Sequence, residues 1–408
     1  MAIRFLKDKY FCGLDIGAQT IKASLVRAQD QNNLELLGVY EVRTQGIKDS
    51  SISDLAELTE SIQAVIQGLT QKTGVKIKNI NLGIGGDLVT IRKTKTVLPL
   101  VERGNKVITP LDVRKVKYQA RLLGVHLEEE VIDDFAEYFK VDENNWAINP
   151  VGMYGRKLEV SLFVVVCPII KIRNIIKAVY QAGLEVIHRS YSSYAATEVI
   201  LDAPLKKDGV IVLDIGASST GFLVFKENVL RYVEIIPWGA KRVTQRIAEE
   251  LNLGFDLAEE IKKSHAMAGE APQEDDEILV KKESNYIPIP RQKICQAVSP
   301  EIDNFLNHVE AALTRSQLFH EINRGIVVAG GGSFLSGLME RIEKKFNMPV
   351  TSAMFSKGLN NSSVYAACVG LAKLNYTQDV SYKLAHNVPL HWTTVLTSKV
   401  KEVYQEYF

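Results

Sequence analysis

Gly13-Leu14-Asp15-Ile16-Gly17-Ala18-Gln19-Thr20-Ile21-Lys22 contains the pentapeptide Leu-Asp-Ile-Gly-Ala, which recurs 199 positions later as Leu213-Asp214-Ile215-Gly216-Ala217. Each copy closes a hydrophobic run, Phe11 to Ile16 and Val210 to Ile215, that reads as a buried strand. Gly17 and Gly216 then permit a tight turn whose backbone N–H groups can face an anion. A second β-rich run follows each turn, Ile21 to Val26 and Thr220 to Phe225, so each unit is a strand, a glycine turn with an acid just before it, and a returning strand. One Asp-x-Gly turn is an ordinary hairpin. Two in one chain suggest half-sites gripping one polyphosphate, with Asp15 and Asp214 set to hold a hydrated Mg²⁺ rather than to touch phosphate.

At 408 residues the chain exceeds what one core usually supports, so two or more lobes are expected. A net charge of +1 argues against nucleic-acid binding, which needs a clustered excess of Lys and Arg. No apolar run reaches the roughly 18 residues of a membrane span. Met1 to Lys9 is too short for a signal peptide, so a cytoplasmic protein is expected. Cys12, Cys167, Cys295 and Cys368 lie far apart and read as reduced core residues, and neither they nor the seven His residues form a metal-ligand pattern.

Residues 34–44 predict a third strand, completing a meander after the first turn. Ile52 to Thr73 carries helical spacing, and Ile80 to Ile84 returns to strand before Gly85-Gly86. Residues 87 to about 164 read as a small inserted α/β subdomain: strand from Leu88 to Leu100, a helix opened by Pro110-Leu111-Asp112-Val113, then Val131 to Val141 and Val160 to Cys167. Ile169 to Ala182 is a helix stopped by Gly183. In the second half, helices are expected at Arg242 to Leu251, Leu257 to Ala268, Ile294 to Leu318 with Pro300 as a possible kink, Phe334 to Phe346, and Val364 to Leu374. Ala366, Ala367, Gly370 and Ala372 permit close packing of the last of these. Gly269 to Asn285 is acidic and polar and reads as an exposed connection.

Gly330-Gly331-Gly332 follows a strand and opens a helix, which suits a nucleotide's ribose, adenine or phosphates as well as it suits a tight turn. Beside two Asp-Ile-Gly-Ala hairpins it becomes a third part of one site between two lobes. Lys22, on the first returning strand, is a phosphate ligand or a solvated strand lysine. Glu259 and Lys262, three apart on a helix, hold ribose hydroxyls or form a surface pair of little consequence.

These residues together resemble the actin, Hsp70 and sugar-kinase superfold, and within it the FtsA family of bacterial cell-division proteins. The two hairpins and Ala329 to Gly332 resemble that fold's phosphate-1, phosphate-2 and adenosine motifs, and Ser190 to Leu201 and Val364 to Leu374 resemble its connecting helices. Asn149-Pro150-Val151-Gly152-Met153-Tyr154-Gly155 with Leu158-Glu159 is similar to an FtsA signature. Asn79 to Gly86 and Ile108 to Val113 also resemble that family, and the match covers about residues 10–375. The resemblance implies an α/β, actin-like (ribonuclease H-like) two-lobe ATPase fold with an inserted 1C-type subdomain. Its implied parts are 1–86 and 165–207 (subdomain 1A), 87–164 (1C), 208–241 and 322–363 (2A), 242–321 (2B), 364–388 (return helix and linker) and 389–408 (a C-terminal amphipathic helix).

It further implies ATP and Mg²⁺ bound through Asp15, Gly17, Ala18, Gln19, Thr20 and Lys22; Gly216, Ala217, Ser218 and Ser219; Gly239 and Ala240; Glu259 and Lys262; and Gly330, Gly331, Gly332 and Ser333. The implied function is a filament-forming scaffold that holds the C-terminal peptide of FtsZ through residues 242–321 and tethers it to the inner face of the cytoplasmic membrane through 389–408. In that tail Trp392, Leu396, Val400, Val403, Tyr404 and Tyr407 share one helical face, while Lys399, Lys401, Glu402 and Glu406 sum to zero charge. An interfacial helix and a helix packed on a protein surface both fit. A PilM-like component of a type IV pilus machine is the alternative, suggested by Thr20-Ile21-Lys22 and Asp214 to Ser218. A small-molecule kinase of the same superfold would need a carboxylate base in the first connecting helix, where only Glu198 stands.

The chain also departs from the FtsA pattern. Ala217-Ser218-Ser219 replaces glycines and drops an acid, Ala240 replaces a glycine, Arg246 stands where Asp is usual, and Ser192 occupies a position that often carries a catalytic carboxylate. Water activation then falls mainly to Asp214, and slow or absent hydrolysis is expected. Glu301 reverses the charge of an arginine that helps hold FtsZ, so either the partner differs or Arg291 and Lys293 take over that role.

Overall fold

The computed structural model describes residues 9–30, 33–48, 50–101, 104–143, 145–269, 277–282, 285–355 and 362–386. The expected tail helix, 389–408, lies outside the described residues. In the first lobe β1 (Lys9–Ile16), β2 (Thr20–Asp30) and β3 (Asn33–Arg43) make the expected meander. Two short strands follow, β4 (Ile47–Lys48) and β5 (Ser51–Ile52). Helix α1 (Leu55–Thr73) starts at Leu55 rather than Ile52, because the Asp54 carboxylate accepts from the Ala56 and Glu57 amides and fixes the first turn there. Its apolar face, Leu58, Ile62, Val65, Ile66 and Leu69, is buried on the sheet. Strand β6 (Asn79–Ile84) runs parallel to β1.

The insertion supplies β7 (Thr90–Pro99), β8 (Lys106–Val107), α2 (Pro110–Gly124), β9 (Glu129–Val141), β10 (Asn145–Ala147), β11 (Tyr154–Gly155) and β12 (Lys157–Pro168). Four of these form an antiparallel sheet in the order β10-β9-β12-β7, and α2 packs on it with its start fixed by a Thr109–Asp112 capping box. The 149–159 signature is part of this subdomain's framework. Gly152 N donates to Ile108 O at 2.9 Å, β11 pairs with β8, and a Cβ on Gly155 would sit 2.4 Å from Val141 Cγ1.

The chain returns through α3 (Ile169–Gln181), ended by Gly183 at φ +84°, then β13 (Glu185–Tyr191), α4 (Ser192–Ile200) and α5 (Ala203–Asp208). The expected connecting helix from Ser190 is thus split between the last residues of β13 and α4. The first sheet is β13-β6-β1-β2-β3.

The second lobe repeats that topology. Strands β14 (Val210–Ile215), β15 (Thr220–Lys226) and β16 (Val229–Ile236) form its meander; after α6 (Lys241–Glu250), α7 (Phe255–His265), β17 (Glu277–Lys282), β18 (Asn285–Pro290) and α8 (Arg291–Ser316) come β19 (Ile326–Ala329), α9 (Leu338–Phe346) and β20 (Val350–Ser352). The sheet order, β16-β15-β14-β19-β20, matches the first sheet strand for strand in direction. Within the stretch expected to be an exposed connection, β17 instead pairs with β18, and Ile278, Val280 and Ile289 enter the core. The acidic run before Ile278 hid this period-two alternation. α8 continues through Pro300.

Helix α10 (Ala366–His386) crosses back onto the first lobe. A Cβ on Gly370 would lie 1.8 Å from Ala195 O of α4, and one on Gly13 of β1 would lie 2.0 Å from Cys368 O, so the small residues are what allow this crossing. All four cysteines are free and buried.

Candidate functional site

The two pentapeptides build the same backbone turn. Ile16 pairs with Ile21 and Ile215 with Thr220; Gly17 N donates to Thr20 O at 3.1 Å, and Gly216 N to Ser219 O at 2.9 Å. Each turn is held from behind by its carbonyls. Thr44 donates through Oγ1 to Gly17 O (2.7 Å) and through its amide to Gln19 O (3.0 Å); Ala240 N and Lys241 N donate to Gly216 O (3.0 Å) and Ala217 O (2.9 Å). With the carbonyls tied back, the opposite edge of each turn is left for a ligand.

Both turns line one cavity of about 680 Å³, within the usual range for ligand sites. Of the expected site residues, Asp15, Gly17, Ala18, Gln19, Thr20, Lys22, Asp214, Gly216, Ala217, Ser218, Ser219, Ala240, Glu259, Lys262, Gly330, Gly331 and Gly332 lie on its wall. Gly239 and Ser333 lie behind it. A Cβ on Gly239 would meet Ala217 O at 2.4 Å, and Ser333 Oγ donates to Gly330 O at 2.7 Å, so both support the loops that face the cavity. Gly330, at φ +80°, passes so close to Ile215 O that a Cβ would sit 2.4 Å away, whereas a Cβ on Gly331 meets nothing within 4 Å.

Helix α4 supplies what sequence reasoning missed. Ser192 Oγ donates to Asp15 Oδ1 at 2.7 Å, and the Ser193 hydroxyl hydrogen-bonds Asp214. Two consecutive serines at one helix start therefore hold the aspartates of both repeats. Burial pushes the Asp214 carboxyl above its ordinary range, the nearby Asp15 charge adds to this, and Ser193 and Lys22 oppose it. The only signal in the sequence was the missing acid at Ser192.

Glu259 and Lys262 are not an exposed pair: they lie on the cavity wall and are tied to each other. Their ion pair, 2.7 Å long, is about nine-tenths buried. Thr244 Oγ1 donates to Glu259 Oε2 at 2.5 Å, Lys262 Nζ donates to Thr244 Oγ1 at 2.9 Å, and the Gln19 side chain of the first lobe hydrogen-bonds Glu259. Burial alone would raise the Glu259 carboxyl, but these donors hold it below its usual range. Arg246 lies outside this network, paired with Glu250 on the outer face of α6. Glu198 faces away too, paired with Lys206 at 2.9 Å. In α8, Glu301 is half-buried, and its Oε2 has no hydrogen-bond partner among the described residues.

The residues fit a magnesium nucleotide. Two facing carboxylates, each held by a hydroxyl, with one lysine beside them, match a hydrated divalent cation next to phosphate. On the same wall Trp238 Nε1 and Ser363 Oγ are buried without a partner among the described residues.

A model of cell division protein FtsA matches residues 211–370, and one of the SHS2 domain inserted in FtsA matches residues 87–166. The chain belongs to the FtsA family. The cell division protein FtsA of Pseudomonas aeruginosa is 29% identical over 371 residues, covering 89% of this chain and 88% of the relative. FtsA of Streptococcus pneumoniae is also 29% identical, over 84% and 75%, and FtsA of Escherichia coli is 24% identical, over 85% and 84%. Among solved structures, the PilM-PilN type IV pilus biogenesis complex aligns with a TM-score of 0.67 at 18% identity, over 90% of this chain and 98% of that one. MreB5 of Spiroplasma citri bound to ADP aligns at 0.53 and 12%, over 93% and 99%. These likenesses establish an actin-like fold with the FtsA insertion. Among the described residues, no helix is long and apolar enough to cross a membrane.

Proposed function

We propose that this FtsA-family chain binds ATP with Mg²⁺ between its lobes and uses the nucleotide as a switch for assembling filaments in cell division. The observation that carries this reading is the pair of equivalent turns, each preceded by an aspartate, facing one cavity beside Gly330-Gly331-Gly332. Lys22 would meet phosphate, and Asp15 and Asp214 would hold the cation through water. The buried Glu259–Lys262–Thr244 network would present one preformed face to the ribose. Bound Mg²⁺ would neutralise phosphate charge and favour the ionised form of Asp214. The solved MreB5 bound to ADP, of the same fold, supports a nucleotide in this cleft.

Slow hydrolysis follows from α4, whose cavity-facing positions near the two aspartates are Ser192 and Ser193, neither of which is a base. We further propose FtsZ as the partner, held through residues 242–321, and a peripheral location on the inner face of the membrane through residues 389–408. Family membership and the amphipathic spacing of the tail support both. Deleting 389–408 should abolish co-sedimentation with anionic liposomes; undiminished pelleting refutes the anchor. The PilM-like reading keeps support from the alignment with the PilM-PilN complex, and division genes rather than pilus genes beside this one would decide against it. Calorimetric titration with Mg–ATP tests the core claim, which fails if the protein binds no nucleotide.

A further inference from the structure

Strand β9 of the inserted subdomain meets the first lobe where β13 gives way to α4, whose first residues line the cavity. On β9 the register against β12 slips between Val165 and Val166, which face Asp133 and Val131, so Ile132 is bulged beside Asp133. The consecutive acids then part. Asp134 pairs with Lys117 (2.5 Å) and Arg121 of α2, inside the subdomain, while Asp133 turns its carboxyl towards the first lobe. There Asp133 Oδ2 accepts from Tyr191 N at 3.3 Å and Oδ1 from Asp134 N at 3.1 Å. Tyr191 is the N-cap of α4, and Asp133 supplies from another subdomain the acceptor for the N-cap amide that a Glu or Gln at the third helical position gives in a capping box, where this helix has Tyr194. The next residues are Ser192 and Ser193, which hold Asp15 and Asp214, and the buried Tyr191 hydroxyl bonds Ser193. β9 also clamps the approach to this helix through Glu130–Arg189 and through Phe135, whose ring lies 4.1 Å from that of Tyr194.

We propose that Asp133 is a positioning residue through which the inserted subdomain sets where the two cavity aspartates sit. A charged acceptor holds an amide more tightly than a neutral one, so the ionised form pins the start of α4 and the protonated form relaxes it. Burial pushes the Asp133 carboxyl up to about 7, with Asp134 adding and the Tyr191 amide, the Asp134 amide and Lys117 opposing, so the change falls near neutral pH. The Tyr194 hydroxyl of α4 also faces it.

The test uses the full chain without nucleotide. Hydrogen exchange of amides 191–195, corrected for intrinsic rates, should slow about threefold to tenfold in the unmodified protein between pH 6 and pH 8, the range set by one charge-assisted bond. Asp133→Asn should stay at the low-pH level throughout, Asp133→Ala should exchange faster at every pH, and Glu137→Gln on the same strand should behave as the parent. Identical profiles for the parent and Asp133→Asn overturn the proposal. A second arm rests on the nucleotide reading. Mg–ATP affinity of Asp133→Asn should be weaker than the parent's at pH 8 and equal to it at pH 6. Altered exchange with unchanged affinity at pH 8 overturns the link to the cavity. Absence of any ATP binding by the parent overturns the nucleotide reading, and the exchange arm still judges Asp133.

Discussion

In the first hairpin Asp15 stands opposite Lys22; in the second the residue opposite Asp214 is Gly221. The turns are alike in length and hydrogen bonding, so the difference lies in what fills the space across from each acid. Lys22 brings a cation to the cavity. Gly221 leaves room, since a Cβ there would come within 2.4 Å of Ser193 Oγ, and the serine that occupies that room bonds Asp214. A duplicated motif has thus become one charged half-site and one buried half-site, with neighbouring residues of a single helix, Ser192 and Ser193, tending each.

The largest effect is expected where the second half-site is most crowded. Gly221→Val should destabilise the protein by about 1 to 3 kcal/mol in urea unfolding, the usual cost of overpacking, while Lys22→Val should stay within about 0.5 kcal/mol, as surface changes do. Equal costs would mean that the two positions are equivalent after all. Next, Lys22→Ala should weaken Mg–ATP binding about tenfold, or about 1.4 kcal/mol; unchanged affinity would assign Lys22 to solvent. A subtler asymmetry concerns pH. The folded carboxyl of Asp214 is raised above its unfolded value, so its contribution to stability is full at low pH and is lost as pH rises through the folded pKa. Asp214→Asn should therefore raise the melting temperature of nucleotide-free protein, and more so at pH 8 than at pH 5. A constant offset across that range would remove burial of the charge as the cause. Smallest, Ser192→Ala and Ser193→Ala should each cost about 1 kcal/mol, and double-mutant cycles should couple Ser192 to Asp15 and Ser193 to Asp214 but not the reverse pairs.

Much of this was readable in the sequence because it rests on local chemistry. The repeat marked both hairpins, Pro110 marked the start of α2, and the small residues of α10 announced its close crossing, whereas the Asp54 cap that starts α1 after Ile52 was passed over. What stayed hidden depends on residues distant in sequence. Ser192 and Ser193 become partners of Asp15 and Asp214 only once the fold brings α4 to both, and the missing acid at Ser192 was their one mark in the sequence. For Glu259 and Lys262 the sequence left a surface pair and ribose ligands as alternatives; burial beside Thr244 and Gln19 removes the surface pair. β17 was masked by the acids that precede it, although its alternate residues Ile278 and Val280 are core. The 149–159 stretch identified the family well, yet it braces the inserted subdomain and does not line the cavity.

The claim beneath all of this is that the two unequal hairpins grip one magnesium nucleotide. Isothermal titration of the intact protein and of Asp214→Ala with ATP, each with Mg²⁺ and with EDTA, tests it most directly. The account predicts saturable binding by the intact protein that weakens when Mg²⁺ is removed, and at least tenfold weaker, Mg²⁺-insensitive binding by Asp214→Ala. Negligible binding by both, or equal affinity that ignores Mg²⁺, would contradict it.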